Sequence, residues 1–236
     1  MDTERIRKHF PAIVKGKRIC TNNAATSQVP QELLDLMEEL FVNYDNVHRG
    51  QSKASIETTQ KFEEAYQEIA FFIGAKDWRS MVLYRGTTEA INAVMYSLST
   101  EIRDGDNVVT THLEHNSNFV PWYALCREIA PAFGRKVEYR LVGFDKETGI
   151  LDLDDLEEKV DRRTKIIACT GASNFLGTKQ PIDKIVKIGK QSGYRHPNFL
   201  SGSYVLVDGA HLVPNAPVDV EEWNVDFLTF SLHKLQ

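Results

Sequence analysis

The stretch YVLVDGAH, residues 204–211, is a short apolar run rich in β-branched side chains that ends in an acidic loop. Such a run predicts a buried strand, and ligands bind at the carboxyl ends of parallel strands in open α/β sheets. The run DFLTFS, residues 226–231, predicts a second strand and leads to His233 and Lys234. If the two strands are neighbours, the sequence predicts that Asp208 and Lys234 share one pocket.

An acid and a lysine in one pocket have a specific chemical use. A lysine can hold the aldehyde cofactor pyridoxal phosphate as a Schiff base, and a carboxylate can keep its pyridine nitrogen protonated so that the ring accepts electrons. A lone acid and lysine also have a simpler interpretation, in which Asp208 caps a loop and Lys234 lies at a surface strand end. The surrounding residues must distinguish the two interpretations.

Two motifs, VDGAH at residues 207–211 and FSLHK at residues 230–234, resemble the cofactor motifs of class V aminotransferases, in particular the cysteine desulfurases of the sulfur-mobilisation type. Five further blocks resemble that family in the same order: NAATS at 23–27, NVHRG at 46–50, RGTTEAIN at 85–92, EHNSNFVPW at 114–122 and SNFLGT at 173–178. The resemblance spans essentially the whole chain.

The resemblance implies the large domain of a fold-type-I transferase that depends on pyridoxal phosphate. The implied reaction takes sulfur from L-cysteine, leaves L-alanine and passes the sulfur to an acceptor, which can be a second protein. Homodimers are the implied assembly. Another class V enzyme, such as an aminotransferase, epimerase or lyase, would share every block, and a non-catalytic remnant of the fold is a further alternative.

The resemblance also implies residue roles. Lys234 is the Schiff-base lysine and takes the substrate α-proton, Asp208 supports the ring nitrogen, and His115 stacks on the ring and relays protons. The other implied contacts are Thr88, Ser231 and His233 to the phosphate, with Thr87 as a competitor, Asn174 and His211 near the ring oxygen, and Asn23 on the substrate side.

The residues themselves leave simpler interpretations open for three of these contacts. A turn between a strand and a helix favours phosphate, but Thr87 could equally be a simple N-cap. His115 could be a solvated loop histidine, and Asn174 could form an Asx turn before Gly177.

The chain departs from the family pattern at three positions and at its end. Residue 211 is His where Gln is usual, residue 232 is Leu where Gly or Ala is commoner, and residue 22 is Asn where Asp is usual. The family continues well beyond Lys234, with a persulfide-forming cysteine in a small C-terminal domain. We therefore expect an incomplete protein, with an N-terminal segment at 1–21 and a truncated cofactor-binding large domain at 22–236, which is inactive by itself.

Composition excludes several classes of protein. With 236 residues, 42% of them hydrophobic, the chain can bury one substantial α/β core. A net charge of −5 without a basic stripe argues against nucleic acid. The charged N-terminus and the lack of a long apolar run predict no signal peptide, no membrane anchor and a cytoplasmic location. Cys20, Cys126 and Cys169 lack disulfide or zinc spacing, so we expect no metal.

From residue 80 the hydrophobic pattern alternates between strand and helix. This predicts an α/β fold with a mostly parallel sheet and helices on both faces. The first strand of the series is predicted at residues 80–84. Upstream, helices are predicted at 31–43 and 55–73, and their apolar stripes are expected to be core.

Overall fold

The computed structural model describes residues 2–197 and 200–235. The chain divides into two compact units, Met1–Met81 with His233–Gln236, and Val82–Leu232. The described residues of the first unit form four α-helices: α1 Thr3–Arg7, α2 Pro11–Val14, α3 Gln31–Asn43 and α4 Lys53–Phe72. The two longer helices agree with the predicted ranges to within two residues.

The prediction that the apolar stripes of α3 and α4 are core is wrong. α3 has no buried residue, and Phe41 is 81% exposed. α4 buries Ser55, Thr58 and Ala70, whereas Phe72 is 56% exposed. Helical spacing identifies which face is apolar, but burial also requires a surface that packs against that face.

The second unit is built on a five-stranded sheet: β1 Asn107–Thr111, β2 Glu138–Val142, β3 Thr164–Thr170, β4 Tyr204–Asp208 and β5 Phe227–Thr229. The strand order is β2-β1-β3-β4-β5, and every neighbouring pair is parallel. The predicted α/β class with a mostly parallel sheet is confirmed.

In the second unit α5 precedes β1, and the other helices lie between successive strands: α5 Thr87–Ser99, α6 Asn116–Ala124, α7 Ala130–Ala132, α8 Leu153–Lys159, α9 Ile182–Gln191 and α10 Val220–Trp223. A π-helical turn, Leu125–Ile129, joins α6 to α7.

Side chains alternate across the sheet, so each strand supplies both of its faces. Val108, Ile166 and Leu206 pack in one core with residues of α5 and α6. Val109 and Ile167 belong to a second core with residues of α8 and α9. The sheet therefore has helices on both faces, as the alternating pattern predicted.

The predicted strand at residues 80–84 is absent from the described structure. Trp78–Ser80 is a 3-10 turn in which Asp77 accepts the backbone N–H of Arg79 at 2.9 Å. Residues 81–84 follow as irregular chain, with Val82 65% exposed. An apolar run forms a strand only where another strand pairs with it, and no described strand does so here. Within the described residues, no helix combines the length and apolarity needed to cross a membrane.

Candidate functional site

A buried acid, Asp208, lies at the carboxyl edge of the sheet. It ends β4, is 4% exposed, and its Oδ1 accepts the backbone N–H of Ala210 at 2.9 Å. In the sheet register Asp208 pairs with Thr170 of β3 and with Thr229 of β5. The carboxyl group therefore lies among three adjacent strand ends, where ligand sites form in this architecture.

The start of α5 is a turn centred on Gly86. Gly86 has a φ of 151°, which residues with a side chain rarely adopt, and a Cβ there would lie 3.3 Å from Ser231 Oγ. Ser231 Oγ accepts the backbone N–H of Thr87 at 2.9 Å and lies 2.7 Å from Thr87 Oγ1. Thr87 is the first residue of α5 and not its cap, so the simple N-cap interpretation is wrong.

This helix start belongs to the same edge as Asp208, because Ser231 lies two residues beyond β5. Amides in the first turn of a helix have no acceptor within the helix, and the helix dipole favours an anion there. Thr87 is buried, whereas Thr88 is exposed. The turn can therefore bind a phosphate through its amides and the hydroxyl of Thr88.

His115 caps α6 with its imidazole ring. Its Nδ1 accepts the backbone N–H of Ser117 at 3.1 Å and lies 2.9 Å from Ser117 Oγ. Ser117 Oγ lies 2.7 Å from Thr88 Oγ1, so a chain of hydroxyl groups joins the α5 turn to the ring. A ring nitrogen that accepts a hydrogen bond carries no proton, and the neutral ring therefore carries its hydrogen on Nε2.

Glu114 is a site residue that the sequence did not single out. Its Oε1 accepts from Thr111 Oγ1 at 2.6 Å and from the backbone N–H of Thr170 at 2.8 Å, and its Oε2 accepts from Asn118 Nδ2 at 2.6 Å. Burial, and in smaller part the charge of Asp208, raises the pKa of Glu114 from its ordinary value of 4.5 to about 8. The sequence offered one signal for Glu114, which is that it directly precedes His115, the histidine predicted to stack on the cofactor ring.

Asn174 lies in the loop after β3 and is exposed. Ser173, not Asn174, forms this turn, because Ser173 Oγ accepts the N–H of Leu176 at 3.1 Å and Ser173 O accepts the N–H of Gly177 at 2.9 Å. The Asx-turn interpretation is therefore wrong. A cavity of about 380 Å³ is lined by residues of this loop and of the loop after β1, among them His112, His115, Phe144, Asn174, Phe175 and Leu176.

His211 follows Asp208 in the loop after β4 and is half-buried. Its carbonyl oxygen accepts from Asn215 Nδ2 at 2.8 Å. Seven of the predicted residues lie in the second unit, at or near the ends of its strands and helices: Thr87, Thr88, His115, Asn174, Asp208, His211 and Ser231.

The remaining predicted residues, Asn23, His233 and Lys234, belong to the first unit. His233 and Lys234 lie in the 3-10 turn Leu232–Lys234. The carbonyl oxygen of His233 accepts the backbone N–H of Ser27 at 2.9 Å. The segment that carries Asn23 and the turn that carries Lys234 therefore meet within this unit.

Two of the three cysteines are buried apolar residues. Cys126 is 3% exposed, and burial raises the pKa of its thiol to about 12. Cys169 is 1% exposed, and burial, with the nearby acids Glu114 and Asp208, raises the pKa of its thiol well above the ordinary value. Reactive thiols need exposure and a lowered pKa, which these two lack.

Comparison with known proteins gives a consistent result. The sequence profile described as Aminotransferase class-V matches residues 19–236. A probable cysteine desulfurase of Mycolicibacterium paratuberculosis is 37% identical over 240 residues, which cover 99% of this chain and 33% of the relative. A cysteine desulfurase of Escherichia coli is 34% identical over 238 residues, which cover 98% of this chain and 55% of the relative.

Solved structures have the same fold. The apo structure of a cysteine desulfurase from Thermococcus onnurineus NA1 has a TM-score of 0.84 at 32% identity and covers 98% of this chain and 53% of that one. A cysteine desulfurase from Escherichia coli has a TM-score of 0.82 at 26% identity and covers 99% of this chain and 55% of that one. The chain spans 33% to 55% of the length of these relatives. Because the profile matches nearly its whole length, the chain belongs to the class V aminotransferase family.

Proposed function

We propose that this chain is the cofactor-binding part of a cysteine desulfurase that depends on pyridoxal phosphate. The reaction takes sulfur from L-cysteine, leaves L-alanine and transfers the sulfur to an acceptor. Relatives at 34% and 37% identity and two structural neighbours carry the name cysteine desulfurase, which supports this choice. In this proposal residues 1–21 are an N-terminal segment and residues 22–236 belong to the large domain.

One observation carries the proposal: the buried carboxyl group of Asp208 and the α5 turn of Thr87 and Thr88 lie at one edge of the sheet. A pyridine nitrogen needs an acid partner to stay protonated, and a phosphate needs amide and hydroxyl donors. The pyridine nitrogen and the phosphate lie at opposite ends of the same cofactor, pyridoxal phosphate. The residues present therefore fit pyridoxal phosphate.

The phosphate ligands in this proposal are Thr88, Ser231 and His233. Thr88 is exposed at the start of α5, and its hydroxyl would exchange its contact with Ser117 Oγ at 2.7 Å for one with the anion. Thr87 is hydrogen-bonded to Ser231 and acts by holding it in place. His233 follows Ser231 by two residues and supplies a further donor.

Bound pyridoxal phosphate supplies an electron-accepting ring that stabilises negative charge at the substrate α-carbon. Asp208 would accept the N–H of the ring nitrogen and so keep that nitrogen protonated. Lys234 would hold the cofactor and serve as the general base for the substrate α-proton. His115 would lie against the ring, and its Nε2, the nitrogen not used for capping α6, would relay protons.

The remaining contacts complete the proposal. His211 and Asn174 bind near the ring oxygen, Asn174 and Asn23 face the substrate, and L-cysteine is that substrate. A homodimer, a protein sulfur acceptor and a cytoplasmic location follow from the same family and are part of the proposal.

The test is cofactor capture by the purified chain. Pyridoxal phosphate is added, the complex is reduced with borohydride, and the modified residue is found by peptide mass spectrometry. We expect modification at Lys234 that is lost in Lys234→Ala and kept in Lys187→Ala, since Lys187 is an exposed residue of α9. Saturable modification that persists in Lys234→Ala would contradict the proposal.

A further inference from the structure

Glu114 joins three parts of the second unit through one carboxyl group. Its partners are Thr111 at the end of β1, Thr170 at the end of β3 and Asn118 in the first turns of α6. All three contacts are between 2.6 and 2.8 Å. His115, the next residue, is the N-cap of α6. The same short segment therefore holds both the Glu114 carboxyl group and the His115 imidazole ring in place.

Trp122 fixes the direction of the hydrogen bond between Asn118 and Glu114. The indole N–H of Trp122 can only donate, and it donates to Asn118 Oδ1 at 3.0 Å. Asn118 must therefore turn its NH₂ group toward Glu114 Oε2. Both Asn118 and Trp122 are 0% exposed, so a mismatch at this contact would leave a buried polar group of Asn118 unpaired.

A glutamine at position 114 could not satisfy these partners. Its oxygen would serve Thr111 and Thr170, and its NH₂ would then face the NH₂ of Asn118. When Glu114 is protonated, Thr111 Oγ1 is the partner among these three that can accept its proton, because the other two are an amide N–H and an NH₂ group. The site therefore requires an acceptor at Oε2.

Glu114 also connects His115 to Asp208. The backbone N–H that binds Glu114 belongs to Thr170, which pairs with Asp208 in the β3–β4 register. The next amide, that of Gly171, donates to the carbonyl oxygen of Asp208 at 2.8 Å. The charge of Asp208 acts on Glu114 as well, since it contributes to the raised pKa of Glu114.

We infer that Glu114 is a positioning residue that holds the imidazole of His115 and the strand ends around Asp208 in the arrangement that receives the cofactor ring. This inference deepens the proposed function and rests on it. Glu114 does not touch the reacting atoms; it acts through Thr170, Asn118 and the backbone of His115. Because Glu114 Oε2 must accept from Asn118, the role can be tested by exchanging the donor and the acceptor between positions 114 and 118.

The experiment compares Glu114→Gln, Asn118→Asp and the double variant that carries both. In the double variant the carboxylate introduced at position 118 would accept from both Trp122 and the new glutamine. This restores every donor–acceptor pair. An aspartate is also favourable in the first turn of a helix. Glu128→Gln, an exposed glutamate of the π-helical turn, is the matched control.

Two readouts are followed for each variant. The first is the NMR signals of the His115 imidazole and the Trp122 indole N–H without cofactor. The second is the affinity for pyridoxal phosphate from absorbance titration. Ile185→Val, in the core of the opposite face, is a stability control because it lowers stability without touching the site.

We expect Glu114→Gln to shift the His115 signals and to weaken cofactor binding by ~10-fold, since it leaves a buried donor unpaired. The double variant should recover both readouts, and the Glu128 and Ile185 controls should keep them. If the Glu114→Gln chain does not fold, recovery in the double variant still decides the question.

Unshifted His115 signals in Glu114→Gln, or a double variant worse than either single change, would overturn the positioning role. If the unaltered chain binds no pyridoxal phosphate, the proposed function fails, whereas the His115 and Trp122 signals still test the hydrogen-bond argument.

Discussion

Ser231 Oγ accepts the backbone N–H of Thr87 at 2.9 Å and lies 2.7 Å from Thr87 Oγ1, although the two residues are 144 positions apart in the chain. Both residues are buried, at 5% and 6% exposure. Ser231, two residues beyond β5, thereby closes the start of α5. The proposed phosphate turn is thus assembled from two distant segments.

Ser231→Ala removes this contact and leaves the Thr87 amide buried without an acceptor. We expect the free energy of unfolding to fall by about 1–3 kcal/mol. Cofactor affinity should fall as well, because the turn is no longer held. Urea unfolding and absorbance titration measure the two effects. Ser97→Ala, in which only a hydroxyl on α5 itself is lost, should change neither by much. An unchanged affinity in a folded Ser231→Ala chain would argue against the turn as the phosphate site.

Much of this arrangement could be predicted from the sequence, because strand and helix periodicities differ and parallel strands share an edge. Asp208 at the end of β4 and Ser231 just beyond β5 follow from those rules. The roles of Glu114 and Ser117 could not be predicted in this way. Each has a hydrogen-bond partner in a segment that is distant in sequence and becomes a neighbour only in the folded chain. Periodicity likewise could not show that Phe41 would be exposed.

Glu114 predicts a specific dependence of stability on pH. Its folded pKa of about 8 lies above its ordinary value of 4.5, so the folded state holds a proton that unfolding releases between these values. Stability from this group is complete below pH 4.5 and is lost as the pH rises through 8. His196 has a lowered pKa because it is buried, and it acts in the opposite direction below its ordinary 6.5. Between pH 6.5 and 8 the contribution of Glu114 is therefore least opposed by that of His196.

In that window the free energy of unfolding should fall with rising pH, by at most about 1.4 kcal/mol per pH unit for one proton. Urea unfolding at several pH values measures the slope. The Glu114→Gln variant, which has no titrating group at position 114 or 118, should lack this contribution. The same slope in both proteins would assign the proton to another residue.

Lys165 and Glu101 form an ion pair of unequal burial. The Lys165 ammonium is 0% exposed and lies 2.7 Å from Glu101 Oε2, whereas the Glu101 side chain is 43% exposed. Glu101→Gln leaves a buried charge without its partner and should cost about 3 kcal/mol. Lys165→Met should cost less, because Glu101 can be hydrated and Met fills the space between the rings of Tyr194 and Tyr204. Urea unfolding ranks the two variants, and the opposite order would contradict this account.

Asp208→Asn separates cofactor capture from catalysis. An amide keeps the shape of the pocket but cannot keep the ring nitrogen protonated. We expect cofactor affinity within a few-fold of the unaltered chain and a large loss of deuterium exchange at the α-carbon of L-alanine in D₂O, followed by NMR. Asp183→Asn on the exposed side of α9 is the control. Equal exchange rates in Asp208→Asn and in an unaltered chain that exchanges measurably would remove this role from Asp208.

The cysteines predict that the chain does not turn over L-cysteine by itself. Sulfur transfer needs an exposed thiolate, yet burial raises the pKa of Cys126 to about 12 and that of Cys169 well above its ordinary value. Cys20 is half-buried and should be the first to react with iodoacetamide at about pH 8. With pyridoxal phosphate, L-cysteine and a reductant, we expect neither alanine nor sulfide beyond the blank. Repeated turnover that yields both products and disappears in Cys20→Ser would show that Cys20 is the sulfur acceptor, because a packing cysteine has no other route into the reaction.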